Sequence, residues 1–261
     1  MSTQNAGAQR VALVTGAAGG IGVALVRRLA EDGFRVVASA LTLEAAAESL
    51  AGCPGEGHAV LACDVSDEAG VDTLFAEAAS TVGAPDVLVT AAGILLLREG
   101  GQRPPITETT LDEWEAHHAV NARGTFLCVR AYLRHWEKTG TSPNAGRVVT
   151  FASVAAQLGG YRASSAYIAS KGSVLAFTKA AAREAASLGI TVNAVAPGLI
   201  DAPMLRLSLP KGGEAAAAAN IPLGRIGQPD DVAGAVSFLL SKDAAYLTGG
   251  VIDVNGGYRM Q

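Results

Sequence analysis

The continuous apolar run Val11-Ala12-Leu13-Val14 passes directly into Thr15-Gly16-Ala17-Ala18-Gly19-Gly20-Ile21-Gly22 and then into the amphipathic stretch Val23–Ala30. A short apolar run closed by a turn signal reads as a strand buried on both faces. Strand, glycine turn and helix in that order leave few folds open. The small residues allow backbone amides and the positive end of a helix to approach a pyrophosphate closely. Gly16, Gly19, Gly20, Ile21 and Gly22 are the candidate cradle.

The same alternation continues along the chain. Phe34–Ser39 is a second buried run following Gly33 at a helix end, and Ala59–Cys63, Asp86–Val89, Gly146–Ser153, Thr191–Ala196 and Val251–Val254 are five more. Helical stretches separate them over about 43–51, 67–82, from Thr110 onward, from about Ser165 to Leu188, and from Asp230 to Leu240. Alternating strands and helices without hairpins require a parallel sheet with right-handed crossovers. The expected fold is α/β, a single-domain Rossmann-type doubly wound sheet of about seven strands with helices on both faces. Residues 1–9 are expected to be a flexible N-terminus, with one domain over 10–261. Segments 94–108 and 199–225 carry no clear period. Thr110-Leu111-Asp112-Glu113 reads as a capping box opening a long helix that contains Asn121.

Tyr167 and Lys171 lie four residues apart, one helical turn above each other on a shared face. An ammonium beside a phenol makes the phenol easier to ionise. Acid–base work near neutrality asks for a shift of roughly three units from the ordinary value of about 10. Ser153 closes the fifth strand, and ligands in open α/β sheets bind beyond such ends. Ser164 and Ser165 are rivals for any serine role, with Ser165 the better placed as a helix cap.

Composition excludes several other classes. The net charge of −4 argues against a nucleic-acid partner. No apolar run is long enough to cross a membrane. Three cysteines without a CxxC pair fit reduced thiols in a cytoplasmic protein. Adjacent His117 and His118 face different directions and read as structural, and no metal-ligand spacing occurs.

Taken in order, Thr15-Gly16-x-x-x-Gly20-x-Gly22, Asp64, Ala92-Gly93, Asn121, Ser153, Tyr167, Lys171 and Pro197-Gly198 make the chain resemble a classical short-chain dehydrogenase/reductase from Arg10 to about Tyr258. The resemblance implies an NAD(P)-dependent oxidoreductase interconverting a secondary alcohol and a ketone, with Tyr167 as general acid/base. Lys171 would lower the phenol's pKa and hold the nicotinamide ribose, and Ser153 would hold the substrate oxygen. Asn121 would anchor a water relay. Ala40, Asp64, Val65, Ala92, Gly93, Pro197, Gly198 and Ile200 would join the glycine turn, Tyr167 and Lys171 in contacting the cofactor. Three positions depart from the family pattern. Ala91 stands where an asparagine steadies the sheet, Ala202 where a threonine meets the carboxamide, and Ala40 where an acidic residue selects the ribose. Neither Gly19 nor Leu41 offers a cation to a 2′-phosphate, which favours NAD over NADP. An NADPH-dependent 3-oxoacyl-thioester reductase stays open, as does a catalytically inactive cofactor-sensing or scaffold protein. The resemblance also implies a cytoplasmic homotetramer with no nucleic-acid or membrane partner. The cations Arg98, Arg103, Arg162, Arg206 and Lys211, with Tyr161, stand in segments expected to wall the substrate pocket and hint at an anionic or polyhydroxylated substrate.

Overall fold

A computed structural model describes residues 9–139, 146–160, 162–210 and 212–261. Residues 1–8, most of the expected flexible terminus, lie outside the described residues, as do Tyr161 and Lys211.

Seven strands form one parallel sheet: β1 (Val11–Thr15), β2 (Arg35–Ala40), β3 (Ala59–Ala62), β4 (Val87–Thr90), β5 (Arg147–Phe151), β6 (Thr191–Pro197) and β7 (Val251–Val254). Their spatial order is β3-β2-β1-β4-β5-β6-β7, so the winding reverses between β1 and β4. A crevice opens at such a reversal, beyond the carboxyl ends of the strands. The central strands are buried on both faces, as continuous apolar runs require.

One face of the sheet packs on α3 (Glu68–Thr81), α5 (Thr125–Thr139) and α7 (Ser165–Ala185). Leu13, Val37, Leu88 and Val148 meet Leu74, Cys128 and Tyr132 there. The opposite face carries Val14, Val36, Val89 and Val149 against Leu25 and Leu29 of α1 (Gly20–Glu31) and Val236 and Leu239 of α10 (Pro229–Leu240). The remaining helices are α2 (Leu43–Leu50), α4 (Leu111–His117), α6 (Val154–Leu158), α8 (Pro203–Ser208) and α9 (Glu214–Ala218). The described residues include no helix long and apolar enough to cross a membrane.

Two local readings need correction. The capping box at Thr110 forms in full, Thr110 Oγ1 accepting from Glu113 N at 3.2 Å while Thr110 N donates to Glu113 Oε2 at 2.8 Å. The expected single long helix, however, is α4 and α5 joined through a π-helical segment over His118–Gly124, with Asn121 inside it. Such wide turns insert a residue and re-aim the side chains around it. At α7 the cap is Ser164 rather than Ser165, its hydroxyl accepting from Tyr167 N at 3.3 Å. The segment 199–225 contains α8 and α9, each too short to show a period.

Candidate active site

The glycine turn begins where β1 ends. Gly16 has φ +71°, and a Cβ there would stand 2.5 Å from the backbone nitrogen of Ala92. A Cβ on Gly22 would stand 2.1 Å from Gly16 O. These contacts explain both glycines sterically: the turn is pressed against the loop after β4 and against itself. Gly19 caps α1 with extended backbone and no side-chain bond, its amide donating to Gly16 O at 3.1 Å. The first-turn amides of Gly20, Ile21 and Gly22 find no acceptor among the described residues. A helix start with free amides and no side chain in front of them fits a pyrophosphate. Gly20 faces Ala202 and Pro203, so the head of α8 covers the turn.

At the adenosine end, β2 closes with Ala40, which is buried, and Leu41, which is exposed. Asp64 follows β3 and accepts from Ser66 N at 2.9 Å and Ser66 Oγ at 2.7 Å. Val65 is buried against Gly124, where a Cβ would come within 2.7 Å of Val65 Cγ2.

The polar centre lies between β4, β5 and α7. Ser153, directly beyond β5, caps α6 by accepting from Ala155 N at 3.2 Å, and its hydroxyl stands in the same pocket as the Tyr167 phenol, near enough to lower that group's pKa. Neither Ser164 nor Ser165 is placed to do this, the first being occupied as the cap of α7. Burial pushes the Tyr167 phenol above its ordinary pKa, and the Ser153 hydroxyl pulls the other way. Lys171, one turn on, is 4% exposed and donates to Phe151 O at 2.8 Å. Burial without a carboxylate brings its ammonium down to about 8. Burial rather than the neighbouring lysine sets the direction of the phenol's shift, and the lysine itself is moved toward neutrality.

Asn121 Oδ1 accepts from Ile94 N at 2.8 Å, and its Nδ2 donates to Ile94 O and Ser170 Oγ, each at 3.0 Å. Gly93 lies between the two polar residues, since a Cβ on it would be 3.2 Å from both Asn121 Oδ1 and Lys171 Nζ. Pro197 ends β6, Gly198 N donates to Val254 O at 2.9 Å, and Ile200 is buried beside them. One pocket brings together Ile21, Gly93, Ser153, Tyr167, Lys171 and Gly198, with largely apolar walls from the α6 and α8 segments.

One neighbour, read from the sequence only as structural, lies against the phenol. His117 is 1% exposed and meets Tyr167 edge-on, ring centroids 6.1 Å apart. Its Nε2 accepts from Leu96 N at 3.1 Å, so the proton sits on Nδ1, which donates to Glu113 O at 2.6 Å. Burial lowers its pKa and keeps the ring neutral. The only signal was a histidine at an apolar helical position. No cluster of three or more potential metal ligands occurs among the described residues.

Comparison with known proteins agrees with this arrangement. The family model described as enoyl-(acyl carrier protein) reductase matches residues 16–259. A cis-4-hydroxycyclohexanecarboxylate dehydrogenase of Sinomonas cyclohexanicum is 38% identical over 253 residues, covering 96% of this chain and 97% of its own. The 3-oxoacyl-[acyl-carrier-protein] reductase FabG of Vibrio harveyi is 38% identical over 255 residues, covering 96% and 98%. A crystal structure of a short-chain dehydrogenase/reductase, glucose/ribitol dehydrogenase, from Brucella melitensis superimposes with a TM-score of 0.87 at 31% identity over 97% of each chain. The chain belongs to the short-chain dehydrogenase/reductase family. It is an NAD(P)-dependent oxidoreductase that interconverts a secondary alcohol and a ketone.

Proposed function

We propose that Tyr167, Ser153, Lys171 and Asn121 carry this reaction, on the strength of one observation: a buried phenol sharing a pocket with Ser153, one turn from a buried ammonium, where that pocket also takes in Ile21 of the glycine turn. The dinucleotide supplies or accepts the hydride when bound. Gly16, Gly19, Gly20, Ile21 and Gly22 take its pyrophosphate, Ala40, Asp64 and Val65 its adenosine, and Ala92, Gly93, Pro197, Gly198 and Ile200 its nicotinamide end. Tyr167, kept protonated by burial, hands its proton to the substrate oxygen in reduction and receives one in oxidation. Ser153 donates to the same oxygen and holds it against the phenol. Lys171, with a pKa of about 8, exchanges protons near neutrality and restores the phenol. Asn121 stands at the outer end of that relay, and Gly93 leaves the gap between the two unfilled.

The absence of a cation at Gly19 or Leu41 supports NAD as the preferred cofactor. The likeness to FabG supports the competing reading, a 3-oxoacyl-thioester reductase using NADPH. Initial rates with NADH and NADPH on one ketone separate the two. Tyr167→Phe is expected to reduce turnover by roughly 10²–10⁴-fold while dinucleotide binding, followed by cofactor fluorescence, stays nearly intact. Turnover at the parental rate would refute the assignment. The family resemblance, which extends through Leu247–Gly257, also leads us to propose a homotetramer working in the cytoplasm.

A further inference from the structure

The five cations that the sequence places around the pocket have different fates. Arg98 is bound to Glu108 at 2.7 Å and approaches Glu113 at 3.7 Å. Arg206 is bound to Asp201 at 2.7 Å. Arg103 is exposed and does not itself line the pocket, though it donates at 3.3 Å to the carbonyl of Gly160, which does; Lys211 lies outside the described residues. Of the four that are described, Arg162 alone lines the pocket, half-buried on the loop between α6 and α7. No carboxylate lies within ion-pair distance of it among the described residues. Its guanidinium makes one long contact, 3.5 Å to Ser208 O at the end of α8. Opposite it the walls are apolar, with Leu95, Val154, Leu158, Met204 and Leu205.

A guanidinium is a planar fork of donors that is always charged and fits a carboxylate through two parallel hydrogen bonds. Here the fork borders an apolar chamber and uses little of its donor capacity on the protein. The other polar side chains lining that chamber are Ser153, Tyr167, Lys171, Ser208 and Tyr258; the first three serve the reacting oxygen, and Ser208 Oγ is taken up by Leu205 O at 2.9 Å. We propose that Arg162 binds a carboxylate on the substrate. The substrate class is then an apolar, compact keto or hydroxy acid whose carbonyl or carbinol carbon meets Tyr167 and whose carboxylate lies across the apolar body from it. This rests on the assignment of Tyr167 as the proton donor and adds the recognition end of the same site. It separates Arg162 from Arg98 and Arg206, whose charges are already matched.

The test compares 4-oxocyclohexanecarboxylate with its methyl ester in the parental enzyme and in Arg162→Gln. The acid is expected to be the better parental substrate, and the variant to lose roughly 10–100-fold in kcat/KM on the acid while staying within about threefold on the ester. Non-reacting cyclohexanecarboxylate and cyclohexanecarboxamide, titrated calorimetrically with cofactor present, give a readout that needs no turnover. The carboxylate should bind more tightly than the carboxamide, and only in the protein that keeps Arg162. Equal binding of the two probes, or an equal effect of the variant on acid and ester, overturns the proposal. Acid turnover that is abolished by Tyr167→Phe but unchanged by Arg162→Gln leaves the proton-donor assignment standing and removes only the carboxylate site.

Discussion

Replacing Lys171 with methionine probes the energetic core of the site. The ammonium is 4% exposed, donates to the Phe151 carbonyl and has no carboxylate beside it. A fall from the ordinary 10.5 to about 8 disfavours the charged form by about 3 kcal/mol at neutral pH. Methionine removes that penalty but leaves the Phe151 carbonyl without its donor, a cost of about 1–3 kcal/mol. At pH 7 the two effects nearly cancel or leave the variant slightly more stable. The pH dependence separates them. Because the folded pKa lies below the unfolded one, the unfolded chain binds more protons between about pH 8 and 10.5, and wild-type stability rises with pH across that window. Near pH 9.5 the wild-type penalty has shrunk to about 1 kcal/mol, while the variant has no such group to titrate. Urea unfolding of both proteins at about pH 7 and about pH 9.5, without added dinucleotide, should therefore show wild type gaining about 2 kcal/mol on Lys171→Met. A stability difference that stays constant with pH, or moves in the variant's favour, would refute the claim that Lys171 is buried at an electrostatic cost.

Two further substitutions test the frame around that centre. Gly22→Ala brings a Cβ to 2.1 Å from Gly16 O, so the glycine turn must open; dinucleotide affinity should fall at least tenfold and urea unfolding should show a loss of about 1–3 kcal/mol. His117→Leu removes the acceptor of the Leu96 amide and loosens the wall carrying Leu95, so KM should rise several-fold with a smaller change in kcat. The same variant should lose some acid sensitivity. The depressed pKa of His117 makes the folded protein less stable as pH falls below about 6.5, and leucine has no proton to take up.

The architecture was legible because the strands of a doubly wound sheet are buried on both faces and leave continuous apolar runs. All seven runs became strands, with ends displaced by one or two residues. The proposed catalytic set rests on the order and spacing of Asn121, Ser153, Tyr167 and Lys171, of which the last three line one pocket. What stayed hidden depends on contacts between distant segments. Whether Ser164 or Ser165 caps α7 turns on where the chain leaves the α6 loop, which local pattern does not fix. The π-helical turn at 118–124 adds a residue that helical periodicity absorbs without trace. Arg98, Arg162 and Arg206 look alike in sequence, and only the positions of Glu108, Asp201 and the apolar walls tell them apart. Spacing likewise reveals a charge beside Tyr167 but not the depth of burial, which is what raises the phenol's pKa.

The step from core to site takes place within a single pleat. Val37, Leu13, Leu88 and Val148 are fully buried apolar residues on one face of four adjacent strands. Two residues further along, on the same face, stand Ser39, Thr15, Thr90 and Thr150, paired in register across those strands and each at most 2% exposed. Thr150 is anchored to Thr178 of α7 at 2.7 Å, which fixes that helix to β5 on the side that presents Tyr167 and Lys171. Fixing α7 to the sheet through a buried hydroxyl pair is what allows an unpaired ammonium to be held beneath a phenol. A mobile helix would let the lysine swing toward water and recover its solvation. The cost measured by Lys171→Met and the rigidity supplied by the Thr150–Thr178 pair are therefore two aspects of the same design, with stability from the apolar layers offsetting the buried charge.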